Sequence, residues 1–270
     1  MQIPFFNYPK LYSEEKETFN EIFKDISSRG AFIMQKDLSN FEEELAEYLG
    51  CKHVIGVADG TVALTLSLKA SGLKKGQEVI ISSHTFIATA AAIKDAGGIP
   101  VVCDCLPDSS INPKSITKMI SEKTAIIMPT QLNGRCCQMD EIQKIADKNN
   151  LKIVEDSCQS LGASYKKTKA GLFGVAGSYS FFPAKTLGCF GDGGAIATNS
   201  DEAADLILKL RNHGRDSSGY VSEFGLNGRL DNLQAAILKH KLKSYGQYIN
   251  KRREIASLYF SKLNHIEDIL

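Results

Sequence analysis

One stretch of the sequence decides which fold and function it predicts, namely Ser178-Tyr179-Ser180-Phe181-Phe182-Pro183-Ala184-Lys185-Thr186-Leu187-Gly188. A β-rich run ends in aromatic residues and a proline, and one lysine follows. A lysine in a water-poor, aromatic-rimmed loop loses its proton more easily, and only the neutral amine attacks an aldehyde. Lys185 is therefore the candidate nucleophile, although most lysines are solvated surface residues. Ser180 is available to a phosphate, and the following run Gly191-Asp192-Gly193-Gly194 allows close approach of the backbone.

Outward from this stretch, short apolar runs alternate with amphipathic segments from Lys52 onward. This alternation is typical of an α/β fold in which a mostly parallel sheet is covered by helices on both faces. We expect seven strands, at His53–Val57, Glu78–Ser82, Ile99–Cys103, Thr124–Met128, Leu151–Glu155, Gly177–Phe182 and Gly194–Thr198.

Helices are expected between most of the strands and at both ends of the sheet region. The intervening helices are predicted at Thr61–Ala70, Thr85–Ala96, Met139–Asn149 and Asp201–Asn212. Ser13–Ser27 and Leu38–Leu49 predict two helices of an N-terminal arm. Leu230–Leu263 has no proline and predicts one long helix leaving the domain, with Gly246 as the candidate break.

Composition limits the classes of function. The 270 residues, 43% of them hydrophobic, can bury the core of one large α/β domain. The 32 basic and 31 acidic side chains nearly cancel, so the charge pattern does not predict nucleic-acid binding. Seven cysteines without a CxxC pair predict reduced thiols, and the absence of a signal peptide or a long apolar run predicts a soluble, cytoplasmic protein outside the membrane. The five histidines form no metal-binding motif, so no metal site is expected.

Polar residues directly after the strands are the next candidates, because ligands of open α/β sheets bind beyond the carboxyl ends of the strands. Asp59-Gly60-Thr61 follows one strand and begins a helix, which offers free backbone N–H groups, a hydroxyl and a positive dipole end to an anion. A phosphate fits there. An ordinary helix start after a glycine turn explains the motif equally well.

A second strand ends at Asp156, and Gln159 lies about one helical turn further on. A carboxylate here can keep a pyridine nitrogen protonated, and Gln159 can hydrogen-bond a ring hydroxyl. The alternative is that Asp156 only caps the next helix. In His84-Thr85-Phe86, after the strand Glu78–Ser82, the ring of Phe86 can stack on a pyridine ring or can belong to the core. Taken together, these positions predict a site for pyridoxal 5'-phosphate (PLP).

In order and spacing, these motifs resemble the DegT/DnrJ/EryC1/StrS family of sugar aminotransferases, which are fold-type I PLP enzymes. The resemblance runs from about residue 1 to about residue 265. The matching segments include Gly60-Thr61-Val62-Ala63-Leu64, His84-Thr85-Phe86-Ile87-Ala88-Thr89, Glu155-Asp156 with Gln159, Phe182-Pro183-Ala184-Lys185, Gly191-Asp192-Gly193-Gly194, Arg211-Asn212-His213-Gly214 and Asn227-Gly228-Arg229-Leu230-Asp231-Asn232-Leu233-Gln234-Ala235-Ala236.

The resemblance implies a role for each matching residue. Lys185 holds PLP as a Schiff base and Asp156 pairs with the pyridinium nitrogen, so these two are the expected catalytic residues. Gln159 contacts the ring oxygen, and Phe86 stacks on the ring. The phosphate is held by Gly60, Thr61 and Ser180. Asn227 reaches the cofactor of a neighbouring subunit and Arg229 joins it at the substrate, which implies a homodimer with shared active sites.

The chain also departs from the family pattern. Many members have Ser or Asn where Asp59 stands, and an acid beside a phosphate is tolerable only if its side chain turns away. Gln131-Leu132-Asn133-Gly134 replaces a His-x-Tyr-Gly motif near the substrate, and Thr186 replaces an Asn or Pro, a change expected to matter little. From the resemblance we expect residues 1–240 to form the PLP-binding large domain, with its N-terminal helical arm, and residues 241–270 to begin a small C-terminal domain that is incomplete here.

The implied reaction is a transamination in two halves. An amino acid, expected to be glutamate, converts PLP to pyridoxamine phosphate, and the amine then enters a nucleotide-linked keto sugar, expected to be a UDP-linked 3-keto or 4-keto hexose. Lys185 moves the proton between the substrate carbon and the cofactor.

Two alternative functions remain at this point. One is a related PLP-dependent sugar dehydratase, although those relatives carry His in place of Lys185, and the other is a catalytically impaired PLP-binding regulatory or scaffold protein.

Overall fold

A computed structural model describes residues 4–266 of the chain. Its centre is a sheet of seven strands in the order β1-β9-β8-β5-β4-β2-β3, beside a separate hairpin of β6 and β7. The strands are β1 His53–Val57, β2 Glu78–Ser82, β3 Ile99–Cys103, β4 Thr124–Met128, β5 Lys152–Asp156, β6 Ser164–Tyr165, β7 Thr168–Lys169, β8 Ala176–Ser180 and β9 Gly194–Thr198.

Six strands of the large sheet run in the same direction, and β9 runs in the opposite direction between β1 and β8. The predicted seven-stranded, mostly parallel sheet is therefore confirmed. The reversal of β9 was not predicted, because the composition of a buried strand carries no information about its direction. Its consequence is that the loop between β8 and β9 returns to the sheet at the edge that it left.

Ten helices are present in the part of the chain that the structure describes. They are α1 Tyr8–Glu14, α2 Lys16–Arg29, α3 Lys36–Leu49, α4 Gly60–Ala70, α5 Ile87–Asp95, α6 Pro113–Met119, α7 Met139–Asn149, α8 Asp201–Leu210, α9 Asn232–Leu242 and α10 Tyr245–Leu263. A short 3-10 turn, Leu132–Gly134, lies between β4 and α7. None of these helices is both long and apolar enough to cross a bilayer.

Helices cover both faces of the sheet, because successive residues of each strand point to opposite sides. In β1, Val54 packs with α3 and α9, while Ile55 packs with α4 and α8 on the other face. Phe41 of α3 and Leu238 of α9 are fully buried on the first face. Burying one such side chain stabilises the fold by about 1.5–3 kcal/mol, so these two apolar layers fix where α4 and the strand ends lie.

The C-terminal helical region differs from the prediction. In place of one helix from Leu230 to Leu263, α9 ends at Leu242 and α10 begins at Tyr245. The break lies at Lys243 and Ser244, whereas Gly246 continues the first turn of α10. Tyr245 is only 2% exposed because its ring packs into the core. This packing changes the direction of the chain, whereas a solvated residue at this position would let the helix continue.

Smaller differences concern the ends of elements. The N-terminal arm has two helices before α3, because Glu15 leaves the helical conformation between α1 and α2. Helix α5 begins at Ile87, two residues after the predicted start, because Phe86 has an extended backbone as its N-cap. Strand β8 ends at Ser180, and Phe182 lies in the following loop. Helix α6 and the β6–β7 hairpin were not predicted.

Candidate active site

A cavity of about 1440 Å³ opens at the carboxyl edge of the parallel strands. It is larger than the ~300–1,000 Å³ of a typical small-molecule site, so it has room for a cofactor and a second ligand. Seven of the eight residues predicted to bind the cofactor line it, namely Gly60, Thr61, Phe86, Asp156, Gln159, Ser180 and Lys185. They come from the segments that follow four different strands, β1, β2, β5 and β8.

The first wall of the cavity is the N-terminus of α4. Helix α4 begins at Gly60, directly after the N-cap Asp59, so its first N–H groups have no partner within the helix. A Cβ on Gly60 would lie 2.8 Å from Cβ and 3.2 Å from Oγ of Ser180, so glycine keeps a cradle open beside that hydroxyl. Free N–H groups, the Thr61 and Ser180 hydroxyls and the positive helix end suit a phosphate.

Asp59 lies beside this cradle, where an acid was a concern from the sequence. Its Oδ1 accepts a 2.9 Å hydrogen bond from the N–H of Val62, so the carboxylate caps α4. The carboxylate therefore accepts one N–H group of the same helix whose N-terminus forms the anion site. The cost of the extra negative charge is reduced because one oxygen is engaged with the helix end.

The second wall is the loop of residues 181–193 between β8 and β9, which we call the lysine loop. The N–H of Lys185 donates to the carbonyl of Phe182 at 2.8 Å, which closes a tight turn. Leu187 and Cys189, on the same loop, are buried in the core. This packing holds the backbone on both sides of Lys185 while its side chain remains only partly buried and lines the cavity.

The third wall begins at Asp156, the last residue of β5, which is 4% exposed. Its Oδ1 accepts the N–H of Cys158 at 3.2 Å, and its Oδ2 accepts the hydroxyl of Thr89 at 2.6 Å. Residues 157–163, which we call the acid loop, form turns and no helix. The alternative that Asp156 caps a following helix is therefore wrong, and so is the helical turn expected between Asp156 and Gln159.

Three threonine hydroxyls form a directed chain behind Asp156. Thr89 has one hydroxyl hydrogen, and it is donated to the carboxylate. The 2.7 Å contact between Thr85 and Thr89 must then have Thr85 as donor, and the 2.9 Å contact between Thr130 and Thr85 must have Thr130 as donor. All three hydroxyl hydrogens thus point along the chain towards the Asp156 carboxylate. None of these threonines had been assigned a role from the sequence, although Thr85 and Thr89 lie inside a quoted motif.

Gln159 extends the acid loop into the cavity. Its Oε1 accepts the N–H of Asn133 at 3.3 Å, so the segment Gln131–Gly134, where the chain departs from its family, lies against it. Gln131 itself is fully buried and donates to Oε2 of Glu155 at 2.7 Å. Burial raises the pKa of Glu155, whereas the N–H groups of Gly171 and Phe173 that it accepts act in the opposite direction. Gln131 therefore belongs to a hydrogen-bond network in the protein interior, whereas Asn133 lines the cavity.

Phe86 lies at the mouth of the cavity and is 68% exposed. The alternative that it belongs to the core is therefore wrong, and its ring face is available to a ligand.

Two predicted residues are not part of the cavity lining. Asn227 lies exposed in the loop before α9, and Arg229 is paired through its backbone with Val57.

The opposite side of the cavity was not predicted from the sequence. Ile249, Arg252, Arg253, Ala256 and Tyr259 of α10 line it at helical spacing, together with Phe5 and Phe6 of the N-terminal segment. No motif marks these residues, because only the packing of α10 against the acid loop brings them to the site. Across the described part of the chain, no cluster of three or more His, Cys, Asp or Glu residues is arranged to hold a metal ion.

The groups that converge here fit pyridoxal phosphate. An anion cradle with a glycine-sized floor, one amine, one buried carboxylate and one open aromatic face surround a single cavity. The described structure supplies a partner of matching chemistry for the phosphate, the aldehyde, the pyridine nitrogen and the ring of this cofactor.

Comparison with known proteins gives a consistent result. The chain is 36% identical over 260 residues to the pleiotropic regulatory protein of Geobacillus stearothermophilus, with 96% of this chain and 70% of that protein covered. It is 36% identical over 265 residues to the UDP-2-acetamido-2-deoxy-3-oxo-D-glucuronate aminotransferase of Pseudomonas aeruginosa, with coverage of 98% and 74%.

Among solved structures, that of Streptomyces venezuelae DesV in complex with a ketimine intermediate superimposes with a TM-score of 0.93 at 34% identity. The match covers 97% of this chain and 71% of that one. The DegT/DnrJ/EryC1/StrS aminotransferase family matches residues 13–270. The chain therefore belongs to the DegT/DnrJ/EryC1/StrS aminotransferase family, as its motifs had indicated.

Proposed function

We propose that this protein is a PLP-dependent aminotransferase that transfers an amino group from an amino acid, glutamate, to a nucleotide-linked keto sugar. The observation that carries the proposal is the convergence of Lys185, Asp156 and the N-terminus of α4 on one cavity. These groups are far apart in sequence and share no obvious structural purpose. Membership of an aminotransferase family supports the same reaction.

Each residue has a distinct task in this proposal. When bound, the cofactor supplies an electron sink for the charge that develops on the substrate carbon next to nitrogen. The Lys185 amine would hold the aldehyde of the cofactor and, once the amino donor displaces it, would carry a proton from the substrate carbon to the cofactor in one half-reaction and in the opposite direction in the other. Asp156, held by Thr89, keeps the pyridine nitrogen protonated. The first turn of α4 and Ser180 would hold the phosphate of the bound cofactor and so fix its position in the cavity.

Size and charge of the cavity support a nucleotide sugar as the second substrate. Its volume exceeds what a cofactor alone requires. On the α10 side, Arg252 and Arg253 offer guanidinium groups, which suit a diphosphate. The Pseudomonas aeruginosa relative is named for a UDP-linked 3-oxo sugar, which supports a UDP-linked 3-keto or 4-keto hexose here.

The proposal includes a homodimer whose two sites each use Asn227 and Arg229 of the partner subunit. Within one chain Asn227 is exposed and outside the cavity lining, as a residue that acts on a neighbouring subunit must be. The same loop exposes Tyr220 by 69% and Phe224 completely, and apolar side chains of this size are typical of a covered interface.

Mixing two inactive variants tests the shared site directly. Lys185→Ala lacks the amine in its own site but can lend Asn227, whereas Asn227→Ala lacks only the residue that it lends. Mixed dimers then contain one complete site, and an equal mixture should recover about a quarter of the wild-type activity. Either variant alone is the control. A mixture as inactive as its components, with exchange of subunits shown by mass, would contradict the shared site.

We also propose that residues 1–240 form the PLP-binding large domain and that residues 241–270 begin a second unit. Helix α9 carries the chain past residue 240 and Tyr245 is still buried in the core, but beyond it most of α10 is exposed, including Ile255, Leu258 and Phe260. The relatives are longer than the match, which covers 70% and 74% of the two proteins described above.

All seven cysteines are free thiols, which is compatible with the cytoplasmic location expected from the sequence.

One alternative keeps a specific observation in its favour. A relative at 36% identity is named a pleiotropic regulatory protein, which suits a PLP-binding protein without turnover. The sugar dehydratase alternative is disfavoured by Lys185, since the resembling dehydratases carry a histidine there. The regulatory alternative differs from a transaminase in its response to an amino donor, and the dehydratase differs in the product that it forms from the sugar.

An absorbance scan distinguishes the three functions. Purified protein with PLP is titrated with glutamate, and a transaminase should convert the visible band of the lysine-bound cofactor to the spectrum of the pyridoxamine form. A panel of keto-sugar nucleotides, scored by mass spectrometry, then identifies the acceptor as the one that gains an amino group and restores the first spectrum. A band that does not change with any amino donor would favour the regulatory alternative, and a keto-deoxy product without added nitrogen would favour the dehydratase.

A further inference from the structure

A buried tyrosine outside the predicted site touches both loops that carry the chemistry. Tyr245, the first residue of α10, is 2% exposed, and its hydroxyl donates to the carbonyl of Leu161 in the acid loop at 2.9 Å. The same oxygen lies 2.7 Å from Oγ1 of Thr186 in the lysine loop. Thr186 directly follows Lys185, and Leu161 lies two residues after Gln159.

The direction of both hydrogen bonds follows from the number of hydrogens. A tyrosine hydroxyl has one hydrogen, and Tyr245 gives it to Leu161, whose carbonyl can only accept. Thr186 must therefore donate to Tyr245. Burial raises the pKa of Tyr245, so this hydroxyl keeps its hydrogen throughout the working range of pH. The result is one continuous chain from the lysine loop through Tyr245 to the acid loop.

We infer that Tyr245 and Thr186 are positioning residues, which hold the lysine loop and the acid loop at a fixed separation so that the Lys185 amine meets the cofactor in line with Asp156. The inference rests on the proposed function of this cavity. It assigns a purpose to Thr186, the position where the chain departs from the usual Asn or Pro after the lysine. The substitution was expected to matter little, and the structure gives it a specific partner.

Other contacts of the lysine loop make Tyr245 the anchor that acts nearest to Lys185. Gln234 of α9 accepts from the N–H of Phe190 at 2.8 Å and donates to its carbonyl at 3.1 Å. Lys241 donates to the carbonyl of Gly188 at 2.6 Å. Both contacts hold the far part of the loop, three or more residues after Lys185, and neither reaches the acid loop. In the described part of the chain, the Tyr245 hydroxyl joins the two loops by hydrogen bonds.

The ring of Tyr245 has a separate, purely structural role. It packs in the main core and meets the ring of Tyr48 edge to face, with centroids 5.7 Å apart. Tyr245→Phe keeps this packing and removes only the hydroxyl. Thr186→Val keeps the branched shape and removes the donor, while Thr186→Ser keeps the donor. Tyr179→Phe is the matched control, because its hydroxyl is equally buried and donates at 2.6 Å to Ala170, which lies outside both loops.

The experiment measures how fast Lys185 captures the cofactor. Protein freed of cofactor is mixed with PLP, and the visible band is followed in time at several pH values, beside thermal unfolding of each variant. Losing one such hydrogen bond should slow capture about threefold to tenfold in Tyr245→Phe and Thr186→Val. Thr186→Ser should restore the wild-type rate. The double variant should be no slower than the slower single variant, because both changes interrupt the same chain.

Three results would overturn the inference while leaving the proposed function intact. Capture at the wild-type rate and with the wild-type pH profile in both Tyr245→Phe and Thr186→Val is the first. Equal slowing by Tyr179→Phe is the second, since it would mean that any lost buried hydroxyl has the same effect. Full additivity of the two single changes is the third. If wild-type protein forms no visible band with PLP, the proposed function itself fails.

Discussion

The hydroxyl of Thr89 donates to Oδ2 of Asp156 across 2.6 Å, in a place where the carboxylate is almost completely buried. A hydrogen bond to a charged group contributes about 1.5–3 kcal/mol, more than a bond between neutral groups. Helix α5 thus holds in place a carboxylate at the end of a different element, β5. The motif around Phe86 therefore contributes Thr89 as well as its aromatic ring to the site.

Thr89→Val should lower turnover about tenfold or more, because the Asp156 carboxylate loses the hydrogen bond that holds it in place. The pH at which the bound cofactor changes its absorption should also move, since the pyridine nitrogen is held less firmly. Thr89→Ser keeps the hydroxyl and should remain close to wild type. Steady-state kinetics and a spectral pH titration measure both effects. Unchanged titration in Thr89→Val would show that the contact is only structural.

Asp156→Asn should abolish most of the turnover without unfolding the protein. The amide can still accept from Thr89, but it carries no charge with which to keep a pyridine nitrogen protonated. We expect a loss of at least about 100-fold in kcat and a free energy of unfolding lower by about 1–3 kcal/mol, because the new NH2 group faces the N–H of Cys158 that Oδ1 now accepts. Denaturant unfolding is the control measurement. A fully active variant would remove Asp156 from the mechanism.

Gly60→Ala should weaken cofactor binding through its phosphate end. The added methyl would lie 2.8 Å from Cβ of Ser180 and so push against the anion cradle. Gly246→Ala is the matched control, because it also lies in the first turn of a helix and has no atom within 4 Å of the added methyl. The control should gain up to about 1 kcal/mol of stability, since alanine favours a helix. PLP titration of both variants measures the difference, and equal affinities would contradict the cradle.

Arg211→Ala should be among the most destabilising single changes. The Arg211 guanidinium, 5% exposed, pairs with the Glu42 carboxylate and donates to the carbonyl of Gly56 at 2.8 Å. Removing one partner of a buried ion pair costs about 3–5 kcal/mol. Lys209→Ala on the same helix breaks a surface pair with Asp205, and exposed pairs contribute less than about 1 kcal/mol. Similar unfolding midpoints for the two variants would show that the Arg211 pair is not buried in solution.

Cys105 should react with iodoacetamide before the other thiols. Burial opposes its ionisation, but hydrogen bonds from the Ser82 and Ser83 hydroxyls outweigh burial and lower its pKa below 9.0. Burial raises the pKa of Cys136 to about 11 and of Cys137 to about 12. Because the thiolate reacts, labelling of Cys105 should rise with pH below 9, where these two stay protonated. Peptide mass spectrometry after brief labelling measures the order, and earlier modification of Cys136 would contradict it.

Much of the fold follows from local pattern. The apolar run His53–Val57 became β1 with the predicted bounds, because alternate residues pack on the two helical layers. The position of Lys185 after β8 and of Asp156 at the end of β5 followed from the same patterns. Strand composition could not show that β9 runs backwards. It also could not show that the chain turns at Ser244, which depends on where the ring of Tyr245 finds space.

The part of the site that was missed consists of residues that act through tertiary contact. In the sequence, Thr130 is an ordinary residue after a strand and Tyr245 an ordinary residue of a helix. Only the hydrogen-bond partners of their hydroxyls give them a role. Arg252 lies on a helix that was predicted to leave the domain, yet it lines the cavity. A motif identifies residues that touch a ligand, whereas the residues that hold those residues in place need the folded geometry.

The reversed strand β9 also constrains the order of events during biosynthesis. The ribosome makes β1 and the start of α4 early and the lysine-bearing hairpin much later, and β9 is the strand that joins β1 to β8. Before β9 is made, β1 has no neighbour in the sheet, and α4 can meet β8 only through direct contacts such as the 2.9 Å hydrogen bond between the Ser67 and Ser178 hydroxyls. The strand that leads into α4 therefore joins the sheet only after residue 198 has been synthesised, when every residue of the cradle is already present in the chain.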